Sequence, residues 1–515
     1  MIDATSLWGL VLGRAEATPN ALCVLDEAGR ALDFKGFRNN ALVCAAGLAD
    51  RGIGRGTRVS WQLPTRIDSL VLCAALSRLG AIQNPILPIY READVGFVTR
   101  ELGSEWLIVP GVLRGFDHAA MAKAIARETP TLQVLDLSAG LPTGDADALA
   151  PMLAEADKVE ETDDPLRWVL YSSGTTADPK GAKHSDGTLL AASAGFCERL
   201  QLASDDRIAL VFPVTHIGGI LWLINGLRVG CAQLVVEHFD PATTIPFLAE
   251  NGVTQATAGT VFHQAYLREQ RRQPEKPLFP ELRTLPGGGA PKPPPLHFDI
   301  RREMGAPIVS GYGLTECPVL TLNSPDDPDE KLAHTEGRAS PEGVLIRIVD
   351  VDERPVATGA EGEIRVRAPQ LCHGYWNAEL DAAAFDAAGF FRTGDLGSLD
   401  TEGFLRVTGR LKDVIIRKGE NISAREVEDA LFSHPKVAEV AVVGLPDAER
   451  GELCCAVVVT TAGGAPLGFE EMTRYLSDAG LMRQKIPERL EFVDALPRNP
   501  TGKVLKQALR GRYSG

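Results

Sequence analysis

The run Leu166-Arg167-Trp168-Val169-Leu170-Tyr171-Ser172-Ser173-Gly174-Thr175-Thr176-Ala177-Asp178-Pro179-Lys180-Gly181 reads as an apolar strand ending in a hydroxyl-rich, glycine-punctuated loop that closes on a lysine. Leu166 to Tyr171 has the length and apolar, aromatic content of a buried strand. In open α/β sheets ligands bind at the carboxyl ends of strands, and this loop stands at one. Its hydroxyls and backbone N–H groups can donate to phosphoryl oxygens, Gly174 and Gly181 permit tight turns, and Lys180 adds a cation. Taken alone, the run is equally a solvated polar loop. It is not a Walker loop, because the Gly-x4-Gly-Lys-Ser/Thr spacing is absent. Thr501-Gly502-Lys503 fails the same test, with Pro497 where the first glycine is required.

Outward from this loop, short apolar runs alternate with helical patterns. Ile208 to Phe212, Leu234 to Glu237 and Ile308 to Ser310 are strand-like; Pro241 to Glu250, Pro291 to Met304 and a stretch from about Gly187 are helical. This alternation predicts α/β layers. After Glu336 the texture changes to glycine-separated strands, Val344 to Val349, Glu363 to Arg367 and Phe404 to Val407, which predict a β-rich subdomain. After Gly409-Arg410-Leu411-Lys412-Asp413 a compact α+β pattern begins: strand Val414 to Arg417, helix Ala424 to Phe432, strands Val437 to Val443 and Cys454 to Thr460. The expected fold is therefore α/β. A large N-terminal domain (1–410) of α/β-layered subdomains plus the β-rich one precedes a small α+β C-terminal domain (411–515).

A chain of 515 residues exceeds the size at which single cores stop growing, so two or more domains are expected. The formal net charge of -15 argues against a polyanion-binding surface and hence against a nucleic-acid partner. Any nucleotide must bind locally. The nine cysteines are scattered, with no CxxC pair, as expected of free thiols in a reducing cytoplasm. Met1 to Leu12 lacks a basic n-region and its apolar stretch is short, so no signal peptide is expected. The longest apolar candidate, Ile208 to Ile224, contains Pro213, His216, Gly218 and Gly219, which suits strand, turn and helix better than a membrane span.

Three further runs carry chemistry. In Gly311-Tyr312-Gly313-Leu314-Thr315-Glu316, Tyr312 offers a face for a base, Thr315 can bond a phosphate, and Glu316 can supply an oxygen to Mg²⁺. Gly287-Gly288-Gly289-Ala290 would let a flat base lie against bare backbone. For either run alone, a tight turn is the equal alternative. Thr393-Gly394-Asp395 places a carboxylate in what reads as a turn, where it can accept bonds from ribose hydroxyls or make an ordinary Asx turn. Lys503, in Asn499-Pro500-Thr501-Gly502-Lys503, would by itself be a solvated charge.

In order and spacing these runs, with Gly409-Arg410-Leu411-Lys412-Asp413, resemble the adenylate-forming superfamily of acyl-CoA synthetases, peptide-synthetase adenylation domains and firefly luciferase. The resemblance spans nearly the whole chain. It implies ATP and Mg²⁺ as cofactors and coenzyme A as co-substrate. It assigns Ser172, Ser173, Gly174, Thr175, Thr176 and Lys180 to the β- and γ-phosphates, and Thr315 and Glu316 to the α-phosphate and metal. Asp395 and Arg410 fall to the ribose, and Tyr312, Gly313 and Gly287 to Gly289 to the adenine slot. Lys503 would bridge the substrate carboxylate and α-phosphate. Lys412 would be the hinge about which a mobile C-terminal domain turns between half-reactions, and Gly419 and Lys418 would line the thiol tunnel. Two departures stand out: Lys418 where the motif has a small residue, and Ala177 where the loop normally has glycine, a strain of about 1 kcal/mol if that position needs positive φ.

Pro213-Val214-Thr215-His216-Ile217-Gly218-Gly219 matches the family's segment at the mouth of the acyl pocket, with His216 near the carboxylate. Amino-acid-activating relatives carry Phe-Asp here, so Thr215-His216 favours an acid without an α-amine. The resemblance draws the acyl pocket from Ile217, Gly219, Trp222, Thr260, Val261, Gly288 and Leu314, mostly apolar; Trp222 and Val261 read equally well as core. The partners are therefore ATP, CoA and a small hydrophobic monocarboxylic acid. Asn84 to Asp94 and Arg417 to Glu426 look most like bacterial short- and medium-chain fatty acid and cyclohexanecarboxylate CoA ligases. Two alternatives remain, an acyl-AMP ligase that loads a carrier-protein phosphopantetheine and a non-catalytic nucleotide sensor. A cytoplasmic enzyme with no transmembrane segment is expected, and a homodimer is compatible with these features.

Overall fold

Leu166–Ser172 is a strand and lies second from the edge of a six-stranded sheet. The order is Lys180–Ser185, Leu166–Ser172, Ile82–Pro85, Arg58–Trp61, Trp106–Val109, Gln133–Asp136. The computed structural model describes the chain apart from residues 157–163, 173–178, 258, 290–291, 418–419, 448, 462–465, 499–503 and 515, and the side chains of 152, 154–156, 420 and 421. Neighbours in this sheet run parallel except Lys180–Ser185, which returns antiparallel against Leu166–Ser172. Trp106–Val109 is buried at every position, as a parallel strand covered on both faces requires.

A second sheet, Arg207–Leu210, Ala232–Val235, Leu22–Asp26 and Ala31–Asp33, meets a third built from Leu285–Gly288, Ile308–Tyr312, Thr321–Leu322 and Arg338–Ala339. Single-residue parallel bridges, Ile208 to Gln255 and Gln255 to Thr284, join the two edge to edge. Trp61, Trp168, Phe34 and Phe37 sit in the largest core, between the first two sheets and their helices. The apolar stretch from Ile208 is indeed a strand, a turn and the helix Ile217–Val229, capped by His216 and ended by Gly230 in the left-handed region. Among the described residues no helix is long and apolar enough to cross a membrane.

The segment after Glu336 forms an antiparallel sheet, Leu345–Val349, Gly362–Arg367, Phe391–Leu399 and Leu405–Arg410. Here the structure differs from the sequence reading. Thr393-Gly394-Asp395 lies inside the strand Phe391–Leu399, not in a turn, because Asp395 pairs in register with Arg410 and the Thr393 hydroxyl bonds the Ile364 carbonyl at 2.6 Å. The helix expected from Pro291 begins at Pro294, since prolines occupy its first turn, where no backbone N–H is needed. The strand expected at Leu234 to Glu237 is Ala232–Val235, set by parallel pairing to Leu22–Asp26 and Arg207–Leu210.

Beyond Arg410 a turn, Leu411–Asp413, leads into the last sheet: Glu420–Ser423, Val414–Arg417, Gly451–Thr460 and Val437–Asp447, with Arg489–Phe492 parallel to Gly451–Thr460. Its core is its own: Ile415, Val427, Leu431, Val442, Cys454 and Met472 pack together beneath the helix Ala424–Phe432. Among the described residues, two contacts that tie it to the larger part are these. Ser423 donates to the Thr408 carbonyl at 2.8 Å, and Arg425 pairs with Glu336 at 3.0 Å.

Glu336 is itself immobilised: its N–H reaches the Leu405 carbonyl at 2.8 Å, and its second carboxylate oxygen takes the Val407 N–H at 2.9 Å. The next residue, Gly337, has φ of 83°, and a Cβ there would overlap the Leu322 backbone. Gly337→Ala is expected to cost at least about 2 kcal/mol, from the left-handed backbone and the steric overlap together. Urea unfolding followed by tryptophan fluorescence should show the lower midpoint; an unchanged midpoint would mean the two strands can part without cost.

Candidate active site

A cleft of about 290 Å³ opens where the third sheet, the β-rich sheet and the C-terminal part meet. Its floor is Gly311, Tyr312 and Gly313, its near wall Thr260 and Val261 of the helix Thr260–Arg272, and its far wall Asp395 and Arg410. Asp395 is buried and doubly engaged. The Tyr312 hydroxyl donates to one oxygen at 2.6 Å and Arg410 Nε to the other at 2.8 Å. Burial first, and then the Asp395 charge, push the Tyr312 phenol well above its ordinary pKa, so it stays a donor. Each carboxylate oxygen keeps a second lone pair for a ligand hydroxyl.

From the other side the cleft is walled by Arg498, Val504 and Lys506, and Arg498 and Val504 bridge as an antiparallel pair. These residues flank Lys503, which lies outside the described residues, as do Ser173, Gly174, Thr175 and Thr176 of the hydroxyl-rich loop and Lys418 and Gly419. The two ends of that loop are placed. Ser172 and Lys180 face each other across the hairpin, and Lys180 Nζ stands 5.4 Å from the centre of the Tyr375 ring.

Glu316 is buried beside this hairpin. Its Oε1 accepts the Tyr375 hydroxyl at 2.8 Å, its main-chain carbonyl accepts Cys372 N–H at 2.8 Å, and among the described residues Oε2 takes no bond. The adjacent Thr315 carbonyl faces His184 Nε2 at 2.9 Å, while His184 Nδ1 meets the Thr188 hydroxyl at 2.9 Å. Burial lowers the His184 pKa to about 4, so it is a neutral tether at neutral pH. Among the described residues no cluster of three or more His, Cys, Asp or Glu could hold a metal.

His216 is the N-cap of the helix Ile217–Val229, with its Nδ1 accepting the Gly218 N–H at 3.1 Å. That bond assigns the tautomer: Nδ1 is the acceptor, so Nε2 carries the proton. Desolvation lowers the pKa to about 4, and the ring offers a neutral N–H, not a cation. It opens on a small cavity with Leu87, Tyr90, Tyr171, Ile217 and Thr315.

The residues assigned to an acyl pocket divide. Thr260 and Val261 line the large cleft and Ile217 the small cavity. Gly219 is sealed, since a side chain there would overlap the Pro213 carbonyl oxygen. Trp222 is core, 3% exposed, its ring 4.7 Å from that of Phe196. Leu314 packs into the core of the β-rich sheet. Gly287 and Gly288 end the strand Leu285–Gly288 beside Ser310 and Gly311, and Gly289 follows on the cleft wall. Lys412 lies in the turn after Arg410, also on the cleft wall, its pKa lowered by burial and then by Arg410. Sequence reading missed Tyr375, His184 and the Glu336–Arg425 pair. Tyr375 carries no spacing signal of its own; backbone pairing of its segment with the strand Lys180–Ser185, including a bridge from Ala182 to Tyr375, sets it beside the hairpin.

The doubly held Asp395 stands where the larger part and the C-terminal α+β part share a cleft, and the buried Glu316 lies beside the hairpin that ends in Ser172 and Lys180. The family model for AMP-binding enzymes matches residues 13–376, and that for the AMP-binding enzyme C-terminal domain matches 426–503. The chain belongs to the AMP-binding enzyme family, the adenylate-forming acyl- and aryl-CoA ligases. It is 30% identical over 503 residues to a medium-chain fatty-acid–CoA ligase of Escherichia coli, covering 96% of this chain and 88% of that one. To the salicyl-AMP ligase / salicyl-S-ArCP synthetase of Mycobacterium tuberculosis it is 33% identical over 522 residues, covering 96% and 88%. The crystal structure of ATP-bound MatB from Rhodopseudomonas palustris superposes with a TM-score of 0.88 at 27% identity over 99% of both chains.

His184, His216 and His263 share one consequence. Burial lowers their pKa to about 4, about 4 and about 3, below the ordinary 6.5. Below 6.5 the unfolded chain takes up protons that the folded one refuses, so stability is full above that value and falls as pH drops towards the folded values. Between about pH 7 and about pH 5 each histidine should cost about 2 kcal/mol. Urea midpoints at the two pH values check this, and His184→Gln should flatten the fall by its share.

Proposed function

We propose that this member of the family is an ATP-dependent carboxylate–CoA ligase acting on a hydrophobic monocarboxylic acid, medium-chain, alicyclic or aromatic. One observation carries the reading. The Tyr312–Asp395–Arg410 triad and the residues flanking Lys503 wall the same cleft, so a nucleotide held by the triad would share that cleft with Arg498, Val504 and Lys506. In the first half-reaction an acid oxygen attacks the α-phosphorus of ATP and pyrophosphate leaves. In the second the CoA thiol attacks the acyl carbon and AMP leaves.

In this reading Asp395 accepts the ribose hydroxyls, steadied by Arg410, and Tyr312 with Gly287 to Gly289 takes adenine. Ser172, Ser173, Gly174, Thr175, Thr176 and Lys180 hold the β- and γ-phosphates, and Thr315 the α-phosphate. His216 donates its Nε2–H to the acid carboxylate, and the Lys503 ammonium offsets the repulsion between that carboxylate and the α-phosphate. Glu316 with one uncommitted oxygen among the described residues, and no three-ligand protein cluster there, suits Mg²⁺, which takes one or two carboxylates and fills its shell with phosphates and water. When bound, Mg²⁺ offsets the charge of the triphosphate.

We also propose division into domains 1–410 and 411–515, with Lys412 as the hinge and Arg425–Glu336 the contact that seats the smaller domain for adenylation. Gly419 and Lys418 would line the thiol path once that domain turns. Thr260, Val261, Ile217 and Gly288 are the acyl-facing candidates. Nine buried cysteines outside any disulfide support a cytoplasmic setting. A carrier-protein acceptor is the second reading, favoured by the 33% identity to a ligase named for a carrier-protein product.

Pyrophosphate release with ATP and Mg²⁺ across acids from acetate to octanoate, cyclohexanecarboxylate, benzoate and amino acids tests the proposal. Turnover with apolar acids that rises with CoA is expected; release indifferent to CoA would favour the carrier protein, and silence an unusual bulky acid or a sensor. Lys503→Ala should cut acyl-AMP formation by at least about a hundredfold yet leave thioester formation from supplied acyl-AMP intact. Loss of both halves would refute its assignment to adenylation.

A further inference from the structure

We propose that Tyr375 is a positioning residue for adenylation, its hydroxyl fixing Glu316 for the metal while its ring seats Lys180 for the phosphates. The inference rests on the reading of Glu316 and Lys180 given above and adds a residue to it.

Tyr375 is only 3% exposed, and it is held from its own backbone. Its N–H donates to Asp381 at 2.8 Å. The segment around it runs as an extra edge along the returning strand Lys180–Ser185. Lys183 N–H bonds the Gly374 carbonyl at 2.9 Å, His373 N–H the Lys183 carbonyl at 2.8 Å, and Trp376 N–H the Gly181 carbonyl at 2.7 Å. The ring is therefore registered to the hairpin that carries Lys180, while the hydroxyl reaches across to Glu316 Oε1 at 2.8 Å.

The chemistry suits the two tasks. The Tyr375 hydroxyl donates to a carboxylate oxygen that accepts. It pins one carboxylate oxygen, so a metal at the other would meet an oriented ligand. A carboxylate partner for Lys180 would compete with phosphate for the ammonium. An aromatic face 5.4 Å away attracts the cation weakly and leaves its hydrogens available.

Calorimetric titration with ATP, with and without Mg²⁺, tests this on wild type, Glu316→Gln, Tyr375→Phe and Tyr375→Leu, each first checked for a wild-type melting profile. Tyr375→Phe should reduce the Mg²⁺-dependent gain in ATP affinity by about tenfold and leave metal-free affinity within about twofold. Tyr375→Leu should weaken metal-free binding as well, because the ring that seats Lys180 is gone. Thioester formation from supplied acyl-AMP should be unchanged in Tyr375→Phe; a fall there would make the tyrosine merely structural and overturn the proposal. If Tyr375→Phe keeps the full metal gain while Glu316→Gln loses it, the proposal fails and the reading of Glu316 stands. If Glu316→Gln keeps the gain too, the reading of Glu316 fails first.

Discussion

One buried carboxylate holds the site together. Asp395 takes a hydroxyl from the strand Ile308–Tyr312 and a guanidinium from the last residue of the strand Leu405–Arg410, while its own strand lies in the β-rich sheet. Bonds to a charged acceptor are each worth about 1.5–3 kcal/mol net, more than their neutral counterparts. The third sheet and the β-rich sheet are thus pinned at a point, and the cleft lies beside it. The chain leaves Arg410 directly into the C-terminal part, so the residue that completes the clamp also begins the connection.

The electrostatic character of the cleft follows from burial as much as from residue type. His216 and His184 are neutral because protonation would have to be solvated where little water reaches. His216 offers the small cavity a directed N–H with no net charge and His184 spends its own on the Thr315 carbonyl, while the cations along the cleft include Arg410, Lys412, Arg425, Arg498 and Lys506. The Glu336–Arg425 pair joins the two parts across the same cleft. A partly buried pair of this kind gains little if it is broken on one side only, since the remaining charge loses its partner.

Strand Leu166–Ser172 and the switch to β-rich texture after Glu336 were legible because strand alternation and glycine spacing are local. The clustering of Tyr312, Asp395 and Arg410 was legible through their motifs, though not through any periodicity. Asp395 was placed in a turn because Thr-Gly-Asp has turn chemistry; cross-strand pairing with Arg410 overrides that preference. Trp222 read equally well as pocket or core and Leu314 was assigned to the acyl pocket, since an apolar side chain near a site faces either a ligand or a core, and only packing decides. Here Phe196 covers one and the β-rich core the other.

By itself the sequence determined the α/β class, the order of the layers, the change of architecture near Arg410 and the residue types that can meet a nucleotide. These depend on short-range periodicity and on chemistry carried by single motifs. Tertiary structure alone decided that Tyr375 stands between Lys180 and Glu316, that His216 caps a helix through Nδ1 and so keeps its proton on Nε2, and that Arg425 reaches Glu336. Each of these is a contact between residues that share no local pattern, or an orientation set by a hydrogen bond. Neither leaves a periodic trace in the chain, because the partners are brought together only when sheets pair and helices dock.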